Sequence, residues 1–253
     1  MIARSRAARA LAAFGRNDLR GTFRDPLLVM IVVAPVIWTT AVALLTPRAT
    51  AMLANDHRFD LVPYYPLILT AFLLLTSIII VGGLTAFLVL DEVDAGTLTA
   101  LRVTPVPLSV FIAYRAATVM GITAVYVIAT MSFSGILDPG LIPSLIPIGL
   151  LSGISGVVTL LLIVTAANNK IQGLAAMRAL GMLIAGLPCL PWFIRSDWNV
   201  AFGVLPPYWA AKAFWLASAR GQWWPYLVGG TVYNVAVAWL LFRRFQAKHA
   251  TSS

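Results

Sequence analysis

The chain has 253 residues, of which 60% are hydrophobic and 11% charged, and its formal net charge is +9. This balance excludes an ordinary soluble domain, which needs a charged surface, and a disordered chain, which lacks apolar residues. The charges lie in a few clusters between long uncharged runs, which predicts an all-α integral membrane protein. Its basic residues then face anionic lipid headgroups and cytoplasmic loops, not nucleic acid.

The first predicted element is a basic amphipathic helix over residues 1–26, before the first span. At 100° per residue its arginines fall within an arc of roughly 80°, with apolar side chains such as Phe14 opposite. This pattern predicts a helix at the membrane interface, with the arginines at the phosphates of anionic lipids. Charge that only sets the topology explains the arginines equally well. These arginines are Arg6, Arg9, Arg16, Arg20 and Arg24.

Six apolar runs follow, and each is long enough to cross a hydrocarbon core of roughly 30 Å as a helix. An even number of spans places both termini on one side, together with loops 91–107 and 166–172. That side carries most of the Lys and Arg residues, so we predict cytoplasmic termini in a cell membrane. The predicted spans are about 27–46, 63–90, 108–133, 141–165, 173–194 and 222–242.

The loop after the second span opens with Asp91, Glu92 and Asp94, three of the nine acidic residues in the chain. Gly96 interrupts the helix of that span, and Thr97 can cap a short new one. A short helix between two spans on the cytoplasmic side has the form of a docking element. Alternatively, the acids only cap this helix and mark the membrane boundary. The predicted docking residues are Glu92, Asp94, Gly96, Thr97, Leu98, Leu101, Arg102, Thr104 and Pro105.

The fourth span carries three glycines, Gly149, Gly153 and Gly156, on or near one face. Small residues allow close approach of another helix, either in a second copy or in the same chain, and packing within the chain is the favoured interpretation. The turn 168–170 (Asn-Asn-Lys) is expected to form a second, shorter cytoplasmic contact. A bare turn is the alternative.

The segment 195–222 lies on the outer side, yet it contains the apolar stretch "VLPPYWAAKAFWLAS". A helix beginning after the two prolines would lie in the interface or dip part-way into the membrane. Backbone at that depth is tolerated only against protein or a water-filled cavity. Taken by itself, the stretch favours an aromatic anchor at the membrane surface. The residues of this extracellular hairpin are Pro206, Pro207, Tyr208 and Trp209.

Motifs of enzymes and metal sites are absent from the sequence. There is no G-x-x-x-x-G-K-[ST], no H-E-x-x-H and no G-x-S-x-G, and the two histidines lie far apart, so we predict no catalytic residues and no metal. No carboxylate lies within a predicted span, and Arg115 and Arg178 lie near cytoplasmic ends, where they can snorkel to the headgroups. A proton-coupled or sodium-coupled carrier is therefore disfavoured, and energy must come from elsewhere.

A family resemblance rests on the loop after the second span. Residues 92–98 (Glu-Val-Asp-Ala-Gly-Thr-Leu), with Leu101 and residues 103–105 (Val-Thr-Pro), resemble the E-x-E-x-G-T-L … L … T-P signature of ATP-binding-cassette type-2 exporter permeases. Those permeases also have six spans, a basic interfacial helix at the N-terminus and an extracellular hairpin with P-x-Y-W, matched here by residues 206–209. The signature departs at Asp94, which replaces a second Glu.

The resemblance implies a permease subunit that pairs with a second permease, of the same or a related chain. It implies two cytoplasmic ATPase subunits, which hold ATP and magnesium, whereas this chain binds no cofactor. The coupling helix would insert Leu98 and Leu101 into a groove of the ATPase, and the complex would export a hydrophobic or amphipathic drug, lipid or lipid-linked polymer. The alternatives are a six-span channel, an energy-independent carrier, or a membrane anchor without a transport path.

Overall fold

The structure, a computed structural model, describes residues 26–95, 108–194 and 197–250. Within these ranges the secondary structure is helical without strands, and six helical segments are long and apolar enough to cross a membrane. The predicted all-α class with six spans is therefore confirmed. The predicted interfacial helix and residues 96–107, the predicted coupling helix, lie outside the described residues.

Seven helices, labelled in chain order, make up this fold. The first two are α1, Pro26–His57, and α2, which runs through Tyr65–Leu69, a π-helical turn at Thr70–Leu74, and Leu75–Asp94. The next two are α3, Leu108–Ser132, and α4, Ile142–Ala166. The fifth, α5, runs through Lys170–Gly181, a π-helical turn at Met182–Gly186 and a 3₁₀ segment at Leu187–Trp192. The last two are α6, Pro206–Ser218, and α7, Trp224–Ala250.

Three further 3₁₀ segments lie outside these helices, at Val62–Tyr64, Pro139–Leu141 and Asp197–Val204.

Two helices extend well beyond the apolar runs that predict them. The first ends at His57 where residue 46 was expected, and α7 reaches Ala250 where residue 242 was expected. Hydropathy marks where a helix leaves the apolar layer, whereas backbone hydrogen bonding continues through polar residues until a residue stops it. For α1 that residue is Arg58, whose φ of 51° is left-handed and lets the Phe59 N–H donate to the Leu53 carbonyl over 3.1 Å.

The helix α4 is the centre of the bundle, and α2, α3 and α7 all pack against it. Its neighbours approach at backbone distance, because glycines line the contacts. A Cβ added to Gly153 would overlap the Met120 carbonyl oxygen of α3, and one added to Gly82 would lie 2.6 Å from the Gly156 oxygen. The glycines of the fourth span therefore serve packing within the chain, as favoured above.

The apolar core falls into two clusters at opposite ends of α4. One joins the start of α2 to α6 and includes Leu74, Ile148 and Phe214. The other joins the end of α2 to α3 and α7 and includes Val89 and Phe245. In contrast, much of α1 is exposed, so it is a peripheral helix of the single chain.

Candidate functional sites

The last turn of α2 is tied to the start of α5. The Asp91 Oδ2 atom lies 2.7 Å from Lys170 Nζ, in an ion pair whose side chains are 40% and 49% exposed respectively. The backbone N–H of Lys170 also donates to Asp94 Oδ2 over 3.1 Å. One residue of α5 therefore contacts two acids of α2 at once, through its side chain and through its backbone.

A capping arrangement begins α5 at this point. The Asn169 side chain accepts a hydrogen bond from the Gln172 N–H over 2.9 Å, and Gln172 Oε1 accepts one from the Asn168 N–H over 2.9 Å. These reciprocal bonds satisfy backbone donors at the start of the helix, and the Asp94 carboxylate adds a favourable charge at its positive end. The turn 168–170 therefore contacts the end of α2 in the same chain, and its predicted role as a second cytoplasmic contact stays a prediction.

A second ion pair ties α2 to α3. The Arg115 Nη2 atom donates to Glu92 Oε1 over 2.7 Å, and the two side chains are only 9% and 26% exposed respectively. The expectation that Arg115 snorkels to the headgroups is wrong. Glu92 presents a carboxylate at the same depth, so the guanidinium is neutralised inside the bundle and has no need to reach water.

The structure thus places two of the nine predicted docking residues, Glu92 and Asp94, against this chain's own α3 and α5. Sequence reasoning missed their partners, Arg115 and Lys170. A signal was available, since each cation lies on the predicted cytoplasmic side of a span that neighbours the acids. The other seven predicted docking residues lie outside the described ranges, and they are Gly96, Thr97, Leu98, Leu101, Arg102, Thr104 and Pro105.

The predicted extracellular hairpin begins deep in the bundle. The Pro206 carbonyl, in the first turn of α6, accepts a hydrogen bond from Asn234 Nδ2 over 3.2 Å. The Ser155 hydroxyl donates to Asn234 Oδ1 over 3.0 Å, and both side chains are fully buried. Because Ser155 lies near the midpoint of α4, α6 starts at mid-bundle depth and is a re-entrant helix.

Aromatic residues hold α6 in this position. The Trp209 indole donates to the Gly203 carbonyl over 2.9 Å, and its ring packs against Gly229 and Gly230 of α7. The Trp215 indole donates to the Thr70 hydroxyl in the π-helical turn of α2 over 2.7 Å. The interpretation of this stretch as a surface anchor is wrong, because its alanines allow close approach and its aromatic rings pack inside the protein.

A groove of about 500 Å³ separates α1 from α3. Its lining is apolar, aromatic or hydroxyl-bearing and carries no charge. A second, smaller groove of about 190 Å³ lies between α1 and α2. Drug-sized ligands occupy pockets of roughly 300–1,000 Å³, so the larger groove has the size and chemistry for an amphipathic aromatic molecule. The lining side chains on which this statement rests are Thr39, Thr40, Tyr126, Thr130 and Phe133.

No group of three or more His, Cys, Asp or Glu side chains that could hold a metal ion occurs in the described part of the chain. Within the described residues, six membrane-length helices and a re-entrant helix before the last of them are the architecture of a multi-pass membrane protein.

The chain belongs to the Rv2686c-like family of fluoroquinolones export permease proteins, whose family profile matches residues 18–242. Two relatives from Mycobacterium tuberculosis bear that description, MT2760 of strain CDC 1551 / Oshkosh and Rv2686c of strain ATCC 25618 / H37Rv. Each is 78% identical over 242 residues, which cover 96% of this chain and 96% of the relative. No solved structure matches the chain significantly. The predicted permease subunit of an exporter is therefore confirmed.

Proposed function

We propose that this chain is the transmembrane subunit of an ATP-driven exporter that moves fluoroquinolones, or similar amphipathic aromatic drugs, out of the cytoplasm. The observation that carries this proposal is the 78% identity, over 96% of the chain, to permeases named for fluoroquinolone export. The groove between α1 and α3 supports it, because its size and its apolar and aromatic lining suit the aromatic ring system of such a drug.

The partner supplying the energy is a cytoplasmic ATP-binding-cassette ATPase, which holds ATP and magnesium. It docks on the segment 96–107, with Leu98 and Leu101 as the apolar contacts. The complex contains a second permease of the same or a related chain. It lies in the cell membrane with both termini cytoplasmic, and the arginines of residues 1–26 face anionic lipids.

Reconstitution with the ATPase tests the proposal. Inverted vesicles are expected to accumulate a fluoroquinolone only when ATP and the ATPase are both present, as measured by the drug's fluorescence. Accumulation down a gradient without ATP would instead identify a channel or carrier. No movement of drug under any of these conditions would identify an anchor or assembly subunit.

The docking segment has its own test. The double variant Leu98→Asp with Leu101→Asp is expected to lose co-purification of the ATPase, because a carboxylate cannot be buried in an apolar groove without a partner. The matched double variant with Met at both positions keeps the apolar contact and should keep the ATPase. Retention of the ATPase by the Asp variant would contradict this docking site.

Filling the groove tests the path of the drug. Ala129→Trp places a large ring in the groove between α1 and α3 and is expected to reduce fluoroquinolone accumulation while ATPase binding persists. Val125→Trp, on an exposed part of the same helix and outside the groove lining, is the matched control and should transport normally. Equal transport by both variants would exclude the groove.

A further inference from the structure

The three acids at the end of α2 each bind a different group, and these groups belong to two other helices, α3 and α5. Glu92 binds Arg115 of α3, Asp91 binds the Lys170 side chain, and Asp94 binds the Lys170 backbone. These contacts join parts of the chain that are 23, 79 and 76 residues apart respectively. The end of α2 is therefore a junction of three helices.

The junction stands directly before the segment 96–107, since α2 ends at Asp94 and the described chain continues only to Ala95. Because this segment joins the start of α3 to the end of α2, any displacement of it reaches α3 and also the last turn of α2. From there the contacts of Lys170 lead into the start of α5, which has no covalent connection to this loop. Because Lys170 is held by its side chain and its backbone, the start of α5 follows the end of α2 for as long as these contacts are made.

The two ion pairs of the junction differ in their exposure to water. The Glu92–Arg115 pair is mostly enclosed, so separating its members would leave a poorly solvated charge, and α2 and α3 are expected to move together. The Asp91–Lys170 pair is about half exposed, where water and salt compete with it. The link to α5 is therefore reversible, as a contact that forms and breaks during a transport cycle requires.

We propose that Lys170 is a positioning residue that passes movement of the ATPase-docking segment to α5, so that ATP hydrolysis is coupled to opening of the drug path. This inference rests on the proposed function. It gives the turn 168–170 a role in coupling that requires no contact between this turn and the ATPase. The Asp91–Lys170 pair transmits the movement, and the Asn169 cap keeps the start of α5 rigid enough to receive it.

The experiment measures drug transported per ATP hydrolysed by the complete complex in proteoliposomes. Lys170→Gln and Asp91→Asn are each expected to lower this ratio by about 1.5- to twofold, the equilibrium factor that an exposed ion pair supplies. The double variant should fall no further than either single variant, since all three lose the same contact. Lys170→Arg keeps the charge and should restore the ratio.

Arg178→Gln is the matched control. Arg178 lies on the same helix about two turns further on, is exposed, and makes no ion pair with another described residue, so its removal should leave the ratio unchanged. Thermal unfolding and co-purification of the ATPase are measured for every variant, because a coupling defect leaves the ATPase bound and the melting temperature nearly unchanged.

The outcomes separate the inference from the proposed function. Absence of ATP-dependent transport by the unmodified complex would overturn the proposed function, and the coupling role with it. An active unmodified complex with an unchanged ratio in Lys170→Gln and Asp91→Asn would overturn only the role of Lys170. A fall in the ratio that merely follows loss of the ATPase or a lower melting temperature would overturn it as well, in favour of docking or stability.

Discussion

The middle of the bundle and one of its ends are held together by different chemistry. At the re-entrant hairpin, Asn234 and Ser155 make uncharged hydrogen bonds to each other and to the Pro206 carbonyl, away from water. At the junction of α2, α3 and α5, Asp91 and Lys170 form an ion pair that water reaches. Both sites connect helices distant in sequence, yet only the second exchanges its partners readily for solvent.

This difference indicates which of the two contacts stays closed and which can open. A buried polar group that loses its partner has no water to replace it. The hairpin seat, which is the contact of Pro206 and Trp209 of α6 with Ser155, Gly230 and Asn234, therefore resists opening. An exposed ion pair contributes little to stability because hydration of the separated charges nearly offsets their attraction. The hairpin seat therefore holds α4, α6 and α7 in fixed positions, whereas the contact between α2 and α5 can open at a small cost in free energy.

The largest expected effect is that of Gly230→Ala, which tests whether the hairpin seat is rigid. The new Cβ would lie 2.5 Å from Trp209 Cβ and 3.1 Å from Leu151 Cδ2, so α6 or α7 must move. Overpacking of this kind costs about 1–3 kcal/mol in the free energy of unfolding, measurable by thermal unfolding in detergent. Gly121→Ala meets no atom within 4 Å and should not destabilise the protein. Equal stability of the two variants would mean that the seat is not rigid.

Asn234→Leu is the next largest. It removes the donor to the Pro206 carbonyl and leaves the Ser155 hydroxyl without its amide partner. Hydrogen bonds between membrane helices contribute about 1–2 kcal/mol at most, so a loss of that size in the free energy of unfolding is expected. In Thr231→Val only a hydroxyl bond to the Leu227 carbonyl within the same helix is lost, and a smaller change should follow.

Trp215→Phe is expected to have a smaller effect still. It removes the indole bond to Thr70 but keeps most of the buried ring, so about 0.6 kcal/mol is expected, the average for such bonds. Thr70→Val should cost a similar amount, and the double variant should cost less than the sum of the two. Strict additivity in this cycle would show that the bond does not stabilise α6.

The smallest expected change in stability is that of Lys170→Gln. Loss of an exposed ion pair costs a few tenths of a kcal/mol, and high salt should abolish the difference from the unmodified protein because it screens the pair. Unfolding in low and high salt measures both effects. A loss of unfolding free energy equal to that of Asn234→Leu, or one insensitive to salt, would remove the distinction between the hairpin seat and the Asp91–Lys170 contact.

The sequence was sufficient to predict the six spans, because hydropathy depends on patterns within about 30 residues. The coupling helix of the signature loop lies outside the described residues and stays a prediction. The sequence misplaced the end of α1, since Arg58 stops the helix by its backbone conformation and not by its polarity. It also assigned Trp209 to the membrane surface, because a tryptophan in an apolar stretch is typical both of a membrane interface and of a buried position with one hydrogen-bond acceptor nearby. The fit of that ring against Gly229 and Gly230 depends on α7, which is remote in sequence from the stretch that was interpreted.

By itself, the sequence determined six apolar segments long enough to cross a membrane and a loop that resembles the signature of exporter permeases. Length and hydropathy impose the first through the thickness of the bilayer, and the second rests on family resemblance. Only the tertiary structure decided that the acids of α2 bind Arg115 and Lys170, and that α6 begins beside Ser155. Those outcomes depend on which helices become neighbours, and the contacts that pack these helices together join residues that lie far apart in the sequence.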